Sequence, residues 1–214
     1  MIWTRKPLAS KQKHHPVTDR ISLIRAALAP SGTQSSDFDL NPDAVLPVDR
    51  VLRPAGVLAP IIERDGELQL LLTKRSSALK HHPGQIAFPG GKQDETDTDV
   101  IAAALREARE EIGLPENIVD VLGTLPIHET VTGFSVTPVI ALVRADFEMK
   151  PEPGEVEEAF TVPLDHVLNP KNFVIQSRRW RGARRHYFTV PYGPYYIWGA
   201  TARMLRAWAD RMTL

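Results

Sequence analysis

The sequence predicts an α/β fold of the α+β kind, in which a mixed β-sheet is sandwiched between helices. Two observations predict it. The apolar pattern changes along the chain in the order helix, several strands, helix, several strands and helix. Runs of strands with few helical crossovers favour a mixed layered structure over a doubly wound parallel sheet.

The composition is that of an ordinary soluble globular protein. The 214 residues are 43% apolar and 24% charged, which suits one well-buried domain. The 26 basic and 26 acidic residues cancel, so no overall field directs the chain to nucleic acid or to a membrane. The chain has no cysteine, which excludes disulfides and thiolate chemistry, and no apolar run approaches the ~18 residues of a membrane span. We therefore expect a cytoplasmic protein that binds neither nucleic acid nor membranes.

The first fifty residues are predicted to form an N-terminal extension with one helix. Thr18 or Asp19 can cap a helix that continues to Ala29, and a polar stretch containing prolines follows it. We expect this extension, residues 1–50, to pack on or be linked to a main domain of residues 51–214.

The main domain is predicted to begin with a β-hairpin. Residues 55–62 and 68–73 are apolar and strand-like, and the Asp65-Gly66 pair between them is a strong signal for a tight turn. Further strands are predicted at residues 118–125, 136–143 and 155–163, with a loop at 126–135, and a second hairpin at 173–180 and 185–190. The last helix is expected to open within residues 195–202.

Residues 100–112 are predicted to form one amphipathic helix. Glu107, Glu110 and Glu111 share a face of this helix because their spacing is i, i+3 and i+4. Like charges so placed repel by roughly 0.2–0.5 kcal/mol per pair, and a divalent cation such as Mg²⁺ removes the repulsion by binding the carboxylates. The alternative is a solvated acidic face paired with Arg106 and Arg109, and the helix alone does not separate the two.

The sequence around this helix resembles the Nudix box, the signature of hydrolases that cleave diphosphates linked to another moiety. The second half of the box, Arg-Glu-apolar-x-Glu-Glu-x-Gly-apolar, is matched at Arg106, Glu107, Ala108, Glu110, Glu111, Gly113 and Leu114. The first half departs from the family pattern. The pattern there is Gly, five residues, Glu and seven residues, whereas here five residues separate Gly91 from Asp97, which stands in place of Glu, and eight residues then precede Arg106.

A second motif, directly upstream, resembles the one that marks the coenzyme A diphosphatase branch of the Nudix family. It is matched at Leu71-Leu72-Thr73-Lys74-Arg75-Ser76, Leu79, His82, Gly84, Phe88-Pro89-Gly90-Gly91 and Asp94. Lys80 stands where that motif has Arg, and Ile86 stands where it has Val. Lys80 keeps the charge, but it offers a point donor instead of the bidentate fork of Arg. A Trp-Gly-x-Thr-Ala segment at residues 198–202 extends the resemblance.

The resemblance implies a Nudix-type fold and a metal-dependent site that holds Mg²⁺ or Mn²⁺. The implied metal ligands are Glu107, Glu110, Glu111 and Gly91. Arg106 would orient a glutamate. A carboxylate from outside the box would join the metal site or serve as base, and the candidate is Glu155, with Glu157 and Glu158 as rivals. The implied catalytic residues are therefore Glu107, Glu110, Arg106 and Glu155. The implied substrate contacts are Lys74, Arg75, Lys80, Gly84 and Phe88.

The implied reaction is hydrolysis of the diphosphate bond of coenzyme A or its derivatives. The products would be 4′-phosphopantetheine, or its acyl form, and adenosine 3′,5′-bisphosphate. The alternatives are a diphosphatase for ADP-ribose or NADH and a non-catalytic ligand-sensing module, and the three helix glutamates favour an enzyme. The arginines between Arg178 and Arg185 could meet a substrate phosphate or remain solvated. We expect a small-molecule substrate and a homodimer.

Overall fold

The computed structural model describes residues 17–29, 32–44, 49–180 and 182–213. The helices are α1 Val17–Leu28, α2 Val100–Ile112, α3 Leu164–Val167 and α4 Gly199–Met212. The strands are β1 Ser35–Ser36, β2 Arg53–Arg64, β3 Glu67–Arg75, β4 Ile86–Ala87, β5 Gly90–Lys92, β6 Val119–Thr124, β7 His128–Glu129, β8 Phe134–Val143, β9 Val156–Pro163, β10 Val174–Trp180 and β11 Ala183–Thr189. The element order is the predicted one, helix, strands, helix, strands and helix, except that the short helix α3 interrupts the second run of strands.

The main sheet is mixed. Its central pair, β2 and β8, is parallel from Arg53 opposite Phe134 onward, while β3 pairs antiparallel with both β2 and β9. The turn between β2 and β3 places Asp65 at φ 53° and Gly66 at φ 77°, which is the left-handed backbone of a tight hairpin turn. The predicted α+β fold and its first hairpin are confirmed.

A hydrophobic core lies on each face of the sheet. Along β3 the side chains alternate, so that Leu71 joins the core beneath α2, while Leu70 and Leu72 join the larger core beneath α1 and α4. Trp208 of α4 is fully buried in this larger core. The sheet is therefore sandwiched between helices, and among the described helices only α2 covers the face that carries the glutamates.

Helix α2 has a clear signal at each end. Asp99 caps its N-terminus by accepting hydrogen bonds from the backbone N–H groups of Ile101 and Ala102 at 2.9 and 2.8 Å. Gly113 ends it in the left-handed conformation at φ 70°. Ala104, Ala108 and Ile112 are buried against the sheet. The glutamates lie on the neighbouring face of the helix.

Strands β2 and β3 diverge on the side of the sheet where the motifs lie. Strand β2 pairs with β3 only at residues 61–64, and farther back, at residues 55–57, its neighbour is β5. The end of β3 pairs with β4 instead. The segment of residues 86–92 thus fills the opening between the two strands, which brings Gly90 and Gly91 beneath α2.

The described part of the N-terminal extension packs on the main domain. Ile24 and Leu28 of α1 are buried in the larger core, and Gly123 of β6 lies against Leu28. Residues 1–16 of the extension lie outside the described residues, and the division at residue 50 stays a prediction. None of the described helices is long and apolar enough to cross a bilayer.

Candidate functional site

The three glutamates of α2 lie on one face but differ in burial. Glu111 is 5% exposed, whereas the side chains of Glu107 and Glu110 are 18% and 51% exposed. Glu111 faces the opening between β2 and β3, and Glu110 points outward to solvent. The face therefore runs from the protein interior to its surface, as a site that receives a charged ligand from solvent requires.

Glu111 is held by the glycine segment. Its Oε2 accepts a hydrogen bond from the backbone N–H of Gly90 at 3.1 Å. Burial raises the pKa of Glu111 to about 7, and the charges of Glu107 and Glu155 act in the same direction, while the Gly90 bond and Arg75 oppose it. A buried carboxylate surrounded by other carboxylates is a group that gains from a nearby cation.

Stability of the metal-free protein should depend on the protonation of Glu111. Between pH 4.5 and about 7 the folded state keeps a proton that the unfolded chain has lost, so stability falls as pH rises through this window. The expected loss is on the order of 3 kcal/mol at most. Urea unfolding in EDTA at pH 5 and pH 7.5 measures it. Glu111→Gln should reduce this difference, and an unchanged difference would contradict the assignment to Glu111.

Glu107 lies directly against Gly91. A Cβ atom added to Gly91 would stand 2.4 Å from Oε1 of Glu107, so any other residue at position 91 would force this carboxylate to move. Burial raises the pKa of Glu107, and Arg106 opposes the shift. The structure therefore brings together the predicted metal residues Glu107, Glu111 and Gly91.

Arg106 donates hydrogen bonds to three of the acidic side chains. Its Nε and Nη2 donate to the two carboxylate oxygens of Asp97 at 3.0 and 2.9 Å. Its Nη1 donates to Glu107 at 3.0 Å and to Glu110 at 2.9 Å. These bonds, above all those of Asp97, raise the pKa of Arg106 further. Arg106 thus contacts two of the three glutamates, and its role in orienting a glutamate stays a prediction.

Asp97 takes the place of the missing box glutamate. Its side chain is buried. Two contacts hold the pKa of this carboxyl below its usual range: the bidentate bond from Arg106 has the larger effect, and the hydrogen bond from the backbone N–H of Asp94 adds to it. The extra residue between Asp97 and Arg106 does not prevent this contact. Arg106 therefore still has a bidentate carboxylate partner despite the departure from the family pattern.

The donor set of the α2 face suits a hard divalent cation. Carboxylate oxygens are the preferred ligands of Mg²⁺, and their mutual repulsion is what such an ion relieves. In the described part of the chain, however, no three His, Asp or Glu side chains are already grouped so that they could hold one ion. Arg106 occupies oxygens of Glu107 and Glu110 instead. The metal ligands stay a prediction.

The three acidic residues that compete for the role of base have different neighbours. The charge of Glu155 acts on both Glu107 and Glu111. Glu157 pairs with Lys74 at 2.6 Å, and Glu158 accepts a hydrogen bond from the Tyr195 hydroxyl at 2.5 Å. Glu155 is thus the rival whose charge reaches the buried glutamates.

A cavity of about 720 Å³ lies beside this region. Of the predicted substrate contacts, Lys74 and Gly84 line it. The charge of Arg75 reaches Glu111 instead.

The two remaining predicted substrate contacts lie elsewhere. Lys80 is exposed and is not part of the cavity wall. Phe88 is 5% exposed and packs in the larger core, where it contributes to folding. Neither placement supports a contact with substrate, and both roles stay predictions.

The cavity also has a wall that lies outside the two motifs, and it includes Arg178, one of the arginines predicted either to meet a substrate phosphate or to remain solvated. Arg178 of β10 and the aromatic residues Tyr195, Tyr196 and Trp198 line it. The available signal was the Trp-Gly-x-Thr-Ala segment, which ties α4 to the site because the Thr201 hydroxyl donates to the carbonyl oxygen of Ile86 at 3.1 Å. Sequence reasoning identified the segment but did not place it in a pocket.

A model of the NUDIX domain matches residues 52–181, which is more than half of the chain. The chain belongs to the Nudix family. It is therefore a hydrolase that acts on diphosphate bonds of nucleoside diphosphate derivatives, and the enzyme prediction is confirmed. Nudix hydrolases generally use divalent metal ions such as Mg²⁺ or Mn²⁺.

Relatives of this Nudix hydrolase bear the name uncharacterized Nudix hydrolase NudL. The protein from Enterobacter sp. (strain 638) is 42% identical over 154 residues, which are 72% of this chain and 80% of the relative. The protein from Escherichia coli O6:H1 is 43% identical over the same shares. The solved structure of the Nudix hydrolase RenU from M. Smegmatis is 26% identical with a TM-score of 0.46, and covers 56% of this chain and 83% of that protein.

Proposed function

We propose that this Nudix hydrolase cleaves the diphosphate bond of coenzyme A or its derivatives with the help of Mg²⁺ or Mn²⁺. The observation that carries the proposal is the contact between two motifs. The upstream motif contributes Gly90, whose N–H binds Glu111 of the box, and its strand contributes Lys74 to the adjacent cavity. Three residues of the motif that resembles the coenzyme A branch support the proposal: Gly90 contacts the acidic face, and Lys74 and Gly84 line the cavity.

The proposed reaction is a hydrolysis at phosphorus. A water oxygen forms a bond to one phosphorus, the bond from that phosphorus to the bridging oxygen breaks, and the bridging oxygen leaves with the other phosphate. Coenzyme A would yield 4′-phosphopantetheine and adenosine 3′,5′-bisphosphate. The chemistry that bound Mg²⁺ or Mn²⁺ supplies is neutralisation of the diphosphate charge and activation of the water.

The chain's own residues take distinct roles in this proposal. Glu107, Glu110 and Glu111 hold the cations, with the backbone at Gly91 close by. Arg106 orients the glutamates through its anchor on Asp97. Glu155 is the proposed base that receives the proton of the water, because its charge reaches the buried glutamates. Lys74 and Gly84 contact substrate in the cavity.

A substrate panel analysed by mass spectrometry tests the proposal. Coenzyme A, acetyl-coenzyme A, ADP-ribose and NADH are incubated with the enzyme in Mg²⁺ and, as a control, in EDTA. We expect adenosine 3′,5′-bisphosphate from the two coenzyme A compounds at a higher kcat/KM than any product from the others, and no turnover in EDTA. Faster cleavage of ADP-ribose or NADH would instead assign the general nucleotide diphosphatase. Binding without turnover of any compound would assign the ligand-sensing module.

The proposal also includes a homodimer that acts in the cytoplasm. Val174 and Ile175, adjacent on β10, are both more than half exposed. Successive side chains of a strand point to opposite faces, so these two residues do not form one patch, and the homodimer rests on the family resemblance.

A further inference from the structure

The cavity beside the acidic face is lined by two cationic side chains, Lys74 and Arg178, whose surroundings differ. Lys74 forms an ion pair with Glu157 at 2.6 Å, and the negative charge of Glu158 also raises the pKa of Lys74. Arg178 lies in the same cavity wall, and among the described residues no carboxylate comes within ion-pair distance of it. The charge of Lys74 is thus largely balanced within the protein, whereas that of Arg178 is not.

Arg178 is placed by an aromatic platform. The carbon at the centre of its guanidinium lies 4.4 Å from the centroid of the Trp198 ring. Trp198 is in turn packed edge-on against Tyr187 at 5.1 Å between ring centroids. A guanidinium that stacks on a ring keeps the N–H groups at its edge free, and these match the oxygens of a phosphate in pairs.

The β-ladder gives a second reason to place an anion here. In the hairpin of β10 and β11, Arg178 stands directly opposite Arg185. Like charges in that relation destabilise the ladder, and an anion beside them relieves the repulsion. Arg179 and Arg184 form the same kind of pair one residue further along, but neither lines the cavity.

The cavity lies within reach of the acidic face. Ile86 lines the cavity and precedes Gly90 by four residues, which span at most ~14 Å. Gly90 donates to Glu111. A substrate whose diphosphate lies at the α2 glutamates can therefore extend its nucleoside part into the cavity.

We infer that Arg178, stacked on Trp198, binds a phosphomonoester carried by the nucleoside part of the substrate. This inference rests on the proposed function, because in coenzyme A that group is the 3′-phosphate. Arg178 then determines specificity: substrates with the phosphomonoester gain a charge-assisted bond that ADP-ribose and NADH cannot form.

Kinetics with two substrates test the inference. Arg178→Ala should lower kcat/KM for coenzyme A by about tenfold to a hundredfold and leave kcat/KM for dephospho-coenzyme A nearly unchanged. Arg178→Lys should recover part of the loss, because it keeps the charge without the fork. The matched control is Arg179→Ala, which removes an arginine from the same strand and an equivalent cross-strand pair outside the cavity. It should leave the ratio of the two kcat/KM values unchanged.

Two results would overturn the inference. One is an equal loss for both substrates in Arg178→Ala. The other is a loss of the preference for coenzyme A in Lys80→Ala while Arg178→Ala keeps it, which would move the phosphate site to the loop.

A binding measurement separates this inference from the proposed function. Calorimetry in EDTA compares adenosine 3′,5′-bisphosphate with adenosine 5′-phosphate on the wild-type protein and on Arg178→Ala. We expect the wild type to prefer the bisphosphate and the variant to lose that preference. An equal preference in both proteins refutes the role of Arg178. Failure of coenzyme A hydrolysis with a normal binding result refutes the proposed reaction alone.

Discussion

Glu110→Gln and Glu111→Gln are each expected to lower kcat by about a hundredfold or more while the protein remains folded. The amide binds hard cations poorly, so either change removes a proposed ligand. The fold should persist because a Gln at position 111 still accepts the Gly90 hydrogen bond and at position 110 is half exposed. Repulsion on the helix face also falls, so stability without metal should rise slightly.

Steady-state kinetics across a Mg²⁺ titration check this result. Glu116→Gln is the matched control, because Glu116 lies just beyond α2 and pairs with Arg109 at the surface, 3.3 Å away. It should keep wild-type turnover. If Glu110→Gln or Glu111→Gln kept near-normal turnover with an unchanged Mg²⁺ dependence, the residue concerned would not be a ligand.

Gly56→Ala is expected to destabilise the protein by about 3 kcal/mol. A Cβ atom at residue 56 would stand 1.9 Å from the carbonyl oxygen of Val100, at the start of α2. The obstacle is backbone, so the helix has to move away from the sheet. Because α2 carries the glutamates, activity should fall together with stability. Urea unfolding monitored by circular dichroism measures the change.

The control for Gly56→Ala is Gly66→Ala in the first hairpin turn. There the added Cβ meets no atom within 4 Å, and the cost comes only from the left-handed backbone at φ 77°. That cost is about 1–2 kcal/mol, and activity should be kept. Equal losses of activity in the two variants would show that the contact between β2 and α2 does not position the site.

Local patterns predicted the parts of the fold that depend on local interactions. Helix α2 was predicted from its apolar stripe, and the first hairpin from the Asp65-Gly66 turn, and both lie where expected. The segment 126–135 was predicted to be a loop, but it contains β7, which pairs with β1 over two residues. Strands of two residues have no periodic pattern, so sequence analysis could not detect them.

The candidate site was predictable where one motif supplied its residues. The contact of Glu111 with Gly90 joins two parts of a recognised pattern. Asp97 was recognised as a departure from that pattern, but its bidentate bond to Arg106 depends on how the connection folds back. Arg178 approaches the site from a hairpin about ninety residues downstream of the upstream motif. A contact of that range depends on tertiary packing, which no local pattern reports.

The hydrogen bond between Gly90 and Glu111 ties folding and chemistry to one carboxylate, and this restricts how the enzyme can diverge. A change to Ala at position 111 would remove the acceptor from a partly buried N–H and cost about 1–3 kcal/mol in addition to activity. A change to Gln keeps the acceptor and is expected to lower kcat by about a hundredfold or more. Mutations that remove catalysis are therefore tolerated by the fold when position 111 becomes Gln, whereas a small apolar residue there also destabilises the fold. A lineage that lost hydrolysis through Glu111→Gln would retain a folded nucleotide-binding scaffold.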